Sequence, residues 1–208
     1  MNRAGEVLPH DLLWGMGLSA LADDAPAWVV DTLGLGHPVV VRRALAPCGQ
    51  VAVGVRGTRR EQRYATFMAH ADIVRQVRPE QLTREVGQRD WPALRALAQV
   101  RPLLDALALS WGVSGSAGYE LASGHAALHA HSDLDLIIRT PQPFDRLRAR
   151  ALLQALDRSA CRIDVQLQVP AGALALREWA GGSRQVLLKG AQGARLVTEP
   201  WYRAEVLA

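Results

Sequence analysis

The 208-residue chain has almost no lysine and almost no cysteine, and it has no long apolar run. Lys189 is the only lysine among 24 basic residues, so arginine carries the net charge of +4. A pI near 9.7 permits phosphate ligands or an acidic protein partner without demanding nucleic acid. A single-strand nucleic-acid platform interleaves basic and aromatic residues. The tryptophans here, at positions 14, 28, 91, 111, 179 and 201, are scattered instead, so a nucleic-acid partner is not expected. Cys48 and Cys161 stand alone without metal-ligand or redox spacing, and both are expected to be reduced and structural. Nothing is long enough to cross a bilayer, and Glu6, His10 and Asp11 interrupt the region where a signal peptide would be apolar. A cytoplasmic location and no membrane partner are expected. Internal repeats and low-complexity tracts are also missing.

What is present is an ordinary globular composition, 49% hydrophobic and 21% charged, in a chain long enough for one large or two small domains. The informative stretch runs from Trp111 to Arg139. Gly115-Ser116 follows a short apolar run and precedes Ala117 to Ala122, which predicts a strand turning into a helix whose first N–H groups and dipole meet an anion. Asp133 and Asp135 alternate with Leu134 and Leu136, so in a strand the leucines face a core and both carboxylates project from the other side. Magnesium is commonly held by one or two carboxylates, with water and substrate phosphate completing the shell. Two such acids beside a phosphate-binding turn point to phosphoryl or nucleotidyl transfer, whereas an isolated Asp-x-Asp is often only a solvated strand.

Downstream, Ile163, Val165, Leu167 and Val169 share one face of a predicted strand, with Asp164 on the other. Asp164 is either a third site carboxylate or a solvated acid. In the N-terminal half, Thr58 and Glu61 have capping-box spacing, which predicts a helix from Thr58. Arg56, Arg59, Arg60 and Arg63 crowd its start, and cations there oppose the helix dipole. A bound anion would resolve that conflict; a solvated basic face is the alternative.

The remaining elements follow from periodicity and punctuation. A short helix is expected over Pro9 to Trp14, strands over Ala27 to Asp31, Pro38 to Arg42 and Gln50 to Val55, and partly helical chain from Ala71 to Arg89. Asp90 is the expected cap of a helix beginning near Pro92, broken or kinked at Pro102 with Leu103 to Leu109 as a second piece. Phe144 to Ser159 reads as an amphipathic helix through Leu147, Leu152, Leu153 and Leu156, completing a strand, helix, strand unit with the Asp164 strand. A helix over Ala171 to Ala180 stops at Gly181-Gly182, and Arg184 to Lys189 and Ala194 to Thr198 are terminal strands. His125, His129 and His131 alternate, but no cysteine cluster supports zinc, so no dedicated histidine metal site is expected. Glu120, on the helix after the turn, either orients substrate or solvates that helix.

Gly115-Ser116 followed by Ser132-Asp133-Leu134-Asp135-Leu136 resembles the signature of the polymerase-β-type nucleotidyltransferase superfamily, which also uses a third acid on a neighbouring strand. With Gly54-Val55-Arg56-Gly57 and the Arg60 to Arg63 run ahead of it, the whole chain resembles the malonate decarboxylase holo-acyl-carrier-protein synthase family, also called phosphoribosyl-dephospho-CoA transferases. That resemblance implies an α/β (α+β) fold: a nucleotidyltransferase-type mixed sheet flanked by helices over residues 90–208, and a smaller N-terminal α/β domain over 1–89 that binds substrate or carrier. It implies attack by a serine of the apo acyl-carrier subunit of malonate decarboxylase on triphosphoribosyl-dephospho-CoA, with pyrophosphate leaving. Asp133 and Asp135 would hold one or two Mg2+ ions, and Asp164 would complete the site or act as general base. Ser116 and the N–H groups after Gly115 would hold the outer phosphates, and Arg56, Arg59, Arg60 or Arg63 the other phosphates or the carrier. Two further functions fit the motif: nucleotidyl transfer to a small molecule, another protein or an RNA end, and non-catalytic binding of a CoA derivative or carrier.

Overall fold

Alternation of apolar residues along several short runs dictates two sheets, and the computed structural model, described over residues 6–59 and 61–202, places them side by side. The first half contains β1 (Leu12–Trp14), α1 (Ala27–Gly34), β2 (Val39–Val41), β3 (Gln50–Arg56), β4 (Arg63–Ala69) and β5 (Arg75–Val77). These five strands form an antiparallel sheet in the order β4-β3-β2-β1-β5. Leu13, Val39, Val41, Val53, Val55 and Met68 pack from one face against Val29 and Leu33 of α1.

The second half contains α2 (Pro92–Asp105), β6 (Trp111–Val113), α3 (Gly115–Ser123), β7 (Leu134–Arg139), α4 (Arg146–Leu156), β8 (Ile163–Val169), β9 (Gly172–Ala175), α5 (Leu176–Ala180), β10 (Val186–Gly190) and β11 (Gly193–Val197). Its sheet, β11-β10-β9-β8-β7-β6, is mixed, with β7 and β8 its parallel pair. α4 is the crossover that a parallel pair requires. Leu134, Leu136, Ile138, Val165 and Leu167 join Leu97, Leu104, Leu152 and Leu156 in the core beneath. The fold is thus mixed α/β with helices flanking two sheets, as the sequence predicts.

Several local expectations are corrected. The apolar run at Leu12 is a strand, preceded by a turn in which His10 adopts φ 78°, because the three apolar residues Leu12 to Trp14 carry no helical period long enough to decide. Residues from Ala27 form a helix despite two β-branched valines: Val29 and Leu33, one turn apart, bury together, and Thr32 Oγ1 donates to Trp28 O at 2.6 Å. Thr58 starts no helix. The chain turns back as a hairpin, with Arg56 opposite Arg63, and Gln62 rather than Glu61 supplies the capping acceptor, to Arg59 N–H at 2.9 Å. Between Ala71 and Arg89 the helical part consists of 3-10 turns at His70–Asp72 and Pro79–Leu82, with β5 between them.

Pro102 sits inside α2 without ending it, on the exposed side, so Leu103 to Leu109 is not a separate helix. Trp91, not Asp90, occupies the cap position; Asp90 pairs with Arg95 at 2.8 Å instead. Leu147 of α4 is 71% exposed, outside the buried stripe. Residues from Gly172 extend as β9 before the short α5, because Ala173 pairs with both Gln168 and Lys189. The expected division at 89/90 falls in the connection between β5 and α2, where Leu82 already belongs to the second core.

Partly buried polar side chains join the halves. Arg43 donates to Gln168 Oε1, and Arg139 Nε meets Glu80 Oε1 at 2.6 Å. His10, beside Gln166, is pushed down to about 4 by burial and then by the Arg43 charge. Its folded pKa lies below the unfolded 6.5, so the unfolded chain takes up the extra proton on acidification. This contribution is intact above pH 6.5 and is lost as pH falls toward 4, a difference of about 3 kcal/mol. His10→Asn, which tolerates the left-handed backbone, is expected to lose less stability between pH 7.5 and 5 than the parent in urea unfolding. Equal losses would exclude His10 as the source.

Candidate active site

β6 delivers the chain to a sharp turn. Ser114 N–H donates to Asp135 O at 2.9 Å, which fixes the turn against β7, and Gly115 adopts φ 61° before α3 begins. Only glycine fits there, since a Cβ at residue 115 would land on the Asp135 carboxylate. The predicted phosphate turn and one predicted carboxylate are therefore in direct apposition. The first N–H groups of α3 have no acceptor within the helix, and they emerge beside a cleft of about 460 Å3 lined by both halves of the chain.

Arg56, at the end of β3, crosses into this turn. Its guanidinium donates to Ser116 Oγ at 2.7 Å and Ala127 O at 3.3 Å, and lies over the Tyr119 ring, 5.3 Å from the centroid. Burial, and then the neighbouring Arg63 charge, lower its pKa, though an arginine remains cationic. Tyr119, one helical turn beyond Ser116, is 3% exposed, and burial pushes its phenol up to about 12. That protonated hydroxyl meets Nδ1 of His37 at 3.0 Å. His37 stacks on His125, with ring centroids 3.5 Å apart, and burial lowers its pKa.

The other predicted residues divide. Arg63 lines the cleft with Arg56, while its guanidinium also donates to Gln62 O at 2.9 Å in the hairpin. Arg59 is exposed on that hairpin, and Arg60 lies outside the described residues. Asp133 immediately precedes β7 and is half-buried; its charge, after the larger effect of burial, helps raise the Cys161 thiol. Asp164 lies directly across from Asp135 in the parallel β7–β8 register. Its Oδ1, however, accepts from Arg162 Nε at 3.1 Å. Among the described residues no three His, Cys, Asp or Glu side chains gather closely enough to hold a metal ion. The acids are neighbours by register, and their carboxylates do not form a closed ligand set.

Glu120 has a role that neither sequence alternative anticipated: Oε2 accepts from Ala127 N–H at 2.7 Å and Leu128 N–H at 2.8 Å, shaping the loop that leads to Asp133. The loop histidines do not converge; His129 Nδ1 accepts the His131 N–H at 3.1 Å. Sequence reasoning missed Tyr119, His37 and the apolar cleft residues. Tyr119 was detectable as the i+3 neighbour of Ser116, but His37 carries no local signal, since its contact partner is 82 residues away.

Arg56→Lys is expected to lower ligand turnover by roughly 10- to 100-fold, because an ammonium cannot make the guanidinium's spread of contacts to Ser116, Ala127 and Tyr119. Steady-state kinetics checks this; an unchanged KM and kcat would reduce Arg56 to a spectator.

Comparison with known proteins bears on both halves. Residues 81–200 match the model of the phosphoribosyl-dephospho-CoA transferase MdcG C-terminal domain, and residues 8–79 that of the corresponding N-terminal domain. The chain is 64% identical over its whole length to all of a phosphoribosyl-dephospho-CoA transferase of Pseudomonas syringae pv. tomato. It is 60% identical, again with both chains fully covered, to one of Pseudomonas fluorescens. Identity is 54% to one of Azotobacter vinelandii, with 93% of each chain covered. No solved structure matches.

Proposed function

The chain belongs to the phosphoribosyl-dephospho-CoA transferase family, and from that premise we propose that it transfers this group from triphosphoribosyl-dephospho-CoA to a serine of the apo acyl-carrier subunit of malonate decarboxylase. The serine oxygen forms a bond to the α-phosphorus, the α–β anhydride bond breaks, and pyrophosphate departs. One observation supports the site assignment most directly: the Gly115–Ser116 turn abuts Asp135 and is held by Arg56 at a cleft shared by both halves. The wider likeness to polymerase-β-type nucleotidyltransferases is part of the same proposal, resting on that turn and the Asp133-Leu134-Asp135 strand.

In this reading Ser116 and the N–H groups after Gly115 hold the outer phosphates, as a helix start does. Arg56 positions Ser116, and Arg63, with Arg59 and Arg60, meets further phosphate charge or the carrier. Asp133 and Asp135, hard-oxygen donors on one side of β7, fit Mg2+, with phosphate oxygens and water completing the shell. When bound, the ion would neutralise charge developing on the transferred and leaving groups. Asp164 serves either as third ligand or as the base that receives the serine proton. Its exposed pair with Arg162 costs at most about 1 kcal/mol to give up.

Intact-mass analysis of apo carrier incubated with the enzyme, the triphosphate and Mg2+ is expected to show addition of one phosphoribosyl-dephospho-CoA group, with stoichiometric pyrophosphate. Addition of a nucleoside monophosphate from an ordinary triphosphate would instead identify another nucleotidyltransferase. Tight binding with no pyrophosphate would identify a binding module.

A further inference from the structure

The first sheet uses both faces. Val39, Val41, Val53, Val55 and Met68 enter its core, so the alternating residues are turned the other way. Among these, Ala65, Gly54, Val40, Leu12 and Val77 are successive register partners across all five strands. Every one of them lines the cleft. At about 4.8 Å per strand the row extends for roughly 19 Å. Facing it are Pro79 and Leu82 of the connection between β5 and α2, with Val113 and Gly118 of the second half.

Charge stands on the β4, β3 and β2 side of the row, where Arg42 lies against Gly54. Arg56 and Arg63, paired across the hairpin, stand two residues along from Gly54 and Ala65, with Tyr119 under the Arg56 guanidinium. Toward Leu12 the wall is aliphatic, and the imidazole there, His10, stays neutral at neutral pH. A long trough with cations along one side and an aliphatic far end is shaped for an elongated molecule of matching polarity. A flat base gains most by stacking on aromatic faces, whereas an uncharged chain of methylenes and amides gains by covering aliphatic surface.

We infer that this trough takes the pantetheine arm of the dephospho-CoA portion, with the diphosphate at Arg56 and Arg63. The inference rests on the substrate class proposed above. It assigns the N-terminal sheet to the coenzyme, so that the carrier approaches from another side.

Titration calorimetry of the full chain with dephospho-CoA and ADP, neither of which can react, tests this directly. Dephospho-CoA is expected to bind at least about tenfold more tightly than ADP, because only it has an arm to bury. Val77→Trp, which fills the far end, is expected to abolish that advantage and leave ADP affinity unchanged. Equal affinities in the parent chain, or an advantage that survives Val77→Trp in a folded variant, would overturn the assignment. If Val77→Trp does not fold, the parent's ranking alone decides. Carrier modification with equal affinities would reject the trough and keep the transfer reaction; a clear dephospho-CoA advantage without carrier modification would do the reverse.

Discussion

Asp135→Asn is expected to lower carrier modification by on the order of a thousandfold, the scale seen when a group facing developing transition-state charge is removed. The change is nearly isosteric, and Asp135 lies half-buried on β7 with its neighbours Leu134 and Leu136 packed below. Stability should therefore move by no more than about 1 kcal/mol. The loss belongs to the reaction and not to the fold, and thermal unfolding measured alongside the mass shift separates the two. Asp133→Asn should behave similarly if both carboxylates serve one cation, and its effect should shrink as Mg2+ is raised. A variant at residue 135 that modifies carrier at the parental rate would remove the carboxylate chemistry, leaving the turn with only a binding role.

Gly115→Ala is expected to act through two separable costs. The left-handed backbone at φ 61° penalises any L side chain by about 1–2 kcal/mol. The new methyl would also displace the Asp135 carboxylate, which occupies that space. Gly124→Ala is the matched control: it has φ 74° at the end of α3, yet nothing stands within 4 Å of its Cβ. Both variants should lose similar stability in urea unfolding from strain alone, with residue 115 losing more. Only Gly115→Ala should lose activity, by roughly 100-fold or more, since misplacing a reacting geometry by an ångström is enough. Equal activity in the two variants would show that the apposition of turn and carboxylate has no part in the reaction.

The contrast between residues 50–69 and 111–139 shows what local sequence can convey. In the second stretch the strand, turn and helix follow one another in sequence: an apolar run, a glycine at positive φ and a helix beginning at that glycine all agree. In the first, Thr58 and Glu61 satisfy a helix signature, and the chain forms a hairpin because Gln50 to Arg56 finds a full-length partner in Arg63 to Ala69. Seven paired residues outweigh a cap worth about 1 kcal/mol. Arg56 therefore reaches Ser116 from a strand end and not from a helix start.

Asp164 marks the other boundary. Alternation placed it correctly on the face opposite Ile163 and Val165, and the parallel register then set it beside Asp135. Whether a carboxylate turns toward its neighbour or toward Arg162 is a matter of rotamers, on which the period of a strand is silent.

By itself the sequence determined the Gly115-Ser116 turn, the acid-bearing strands and the family, because each is encoded in residues close together in the chain. Only the tertiary structure decided that the second face of the N-terminal sheet is a cleft wall and that Arg56, His37 and Tyr119 meet. The physical reason is that alternation assigns a residue to a side of its strand, while what that side faces depends on elements dozens of residues away.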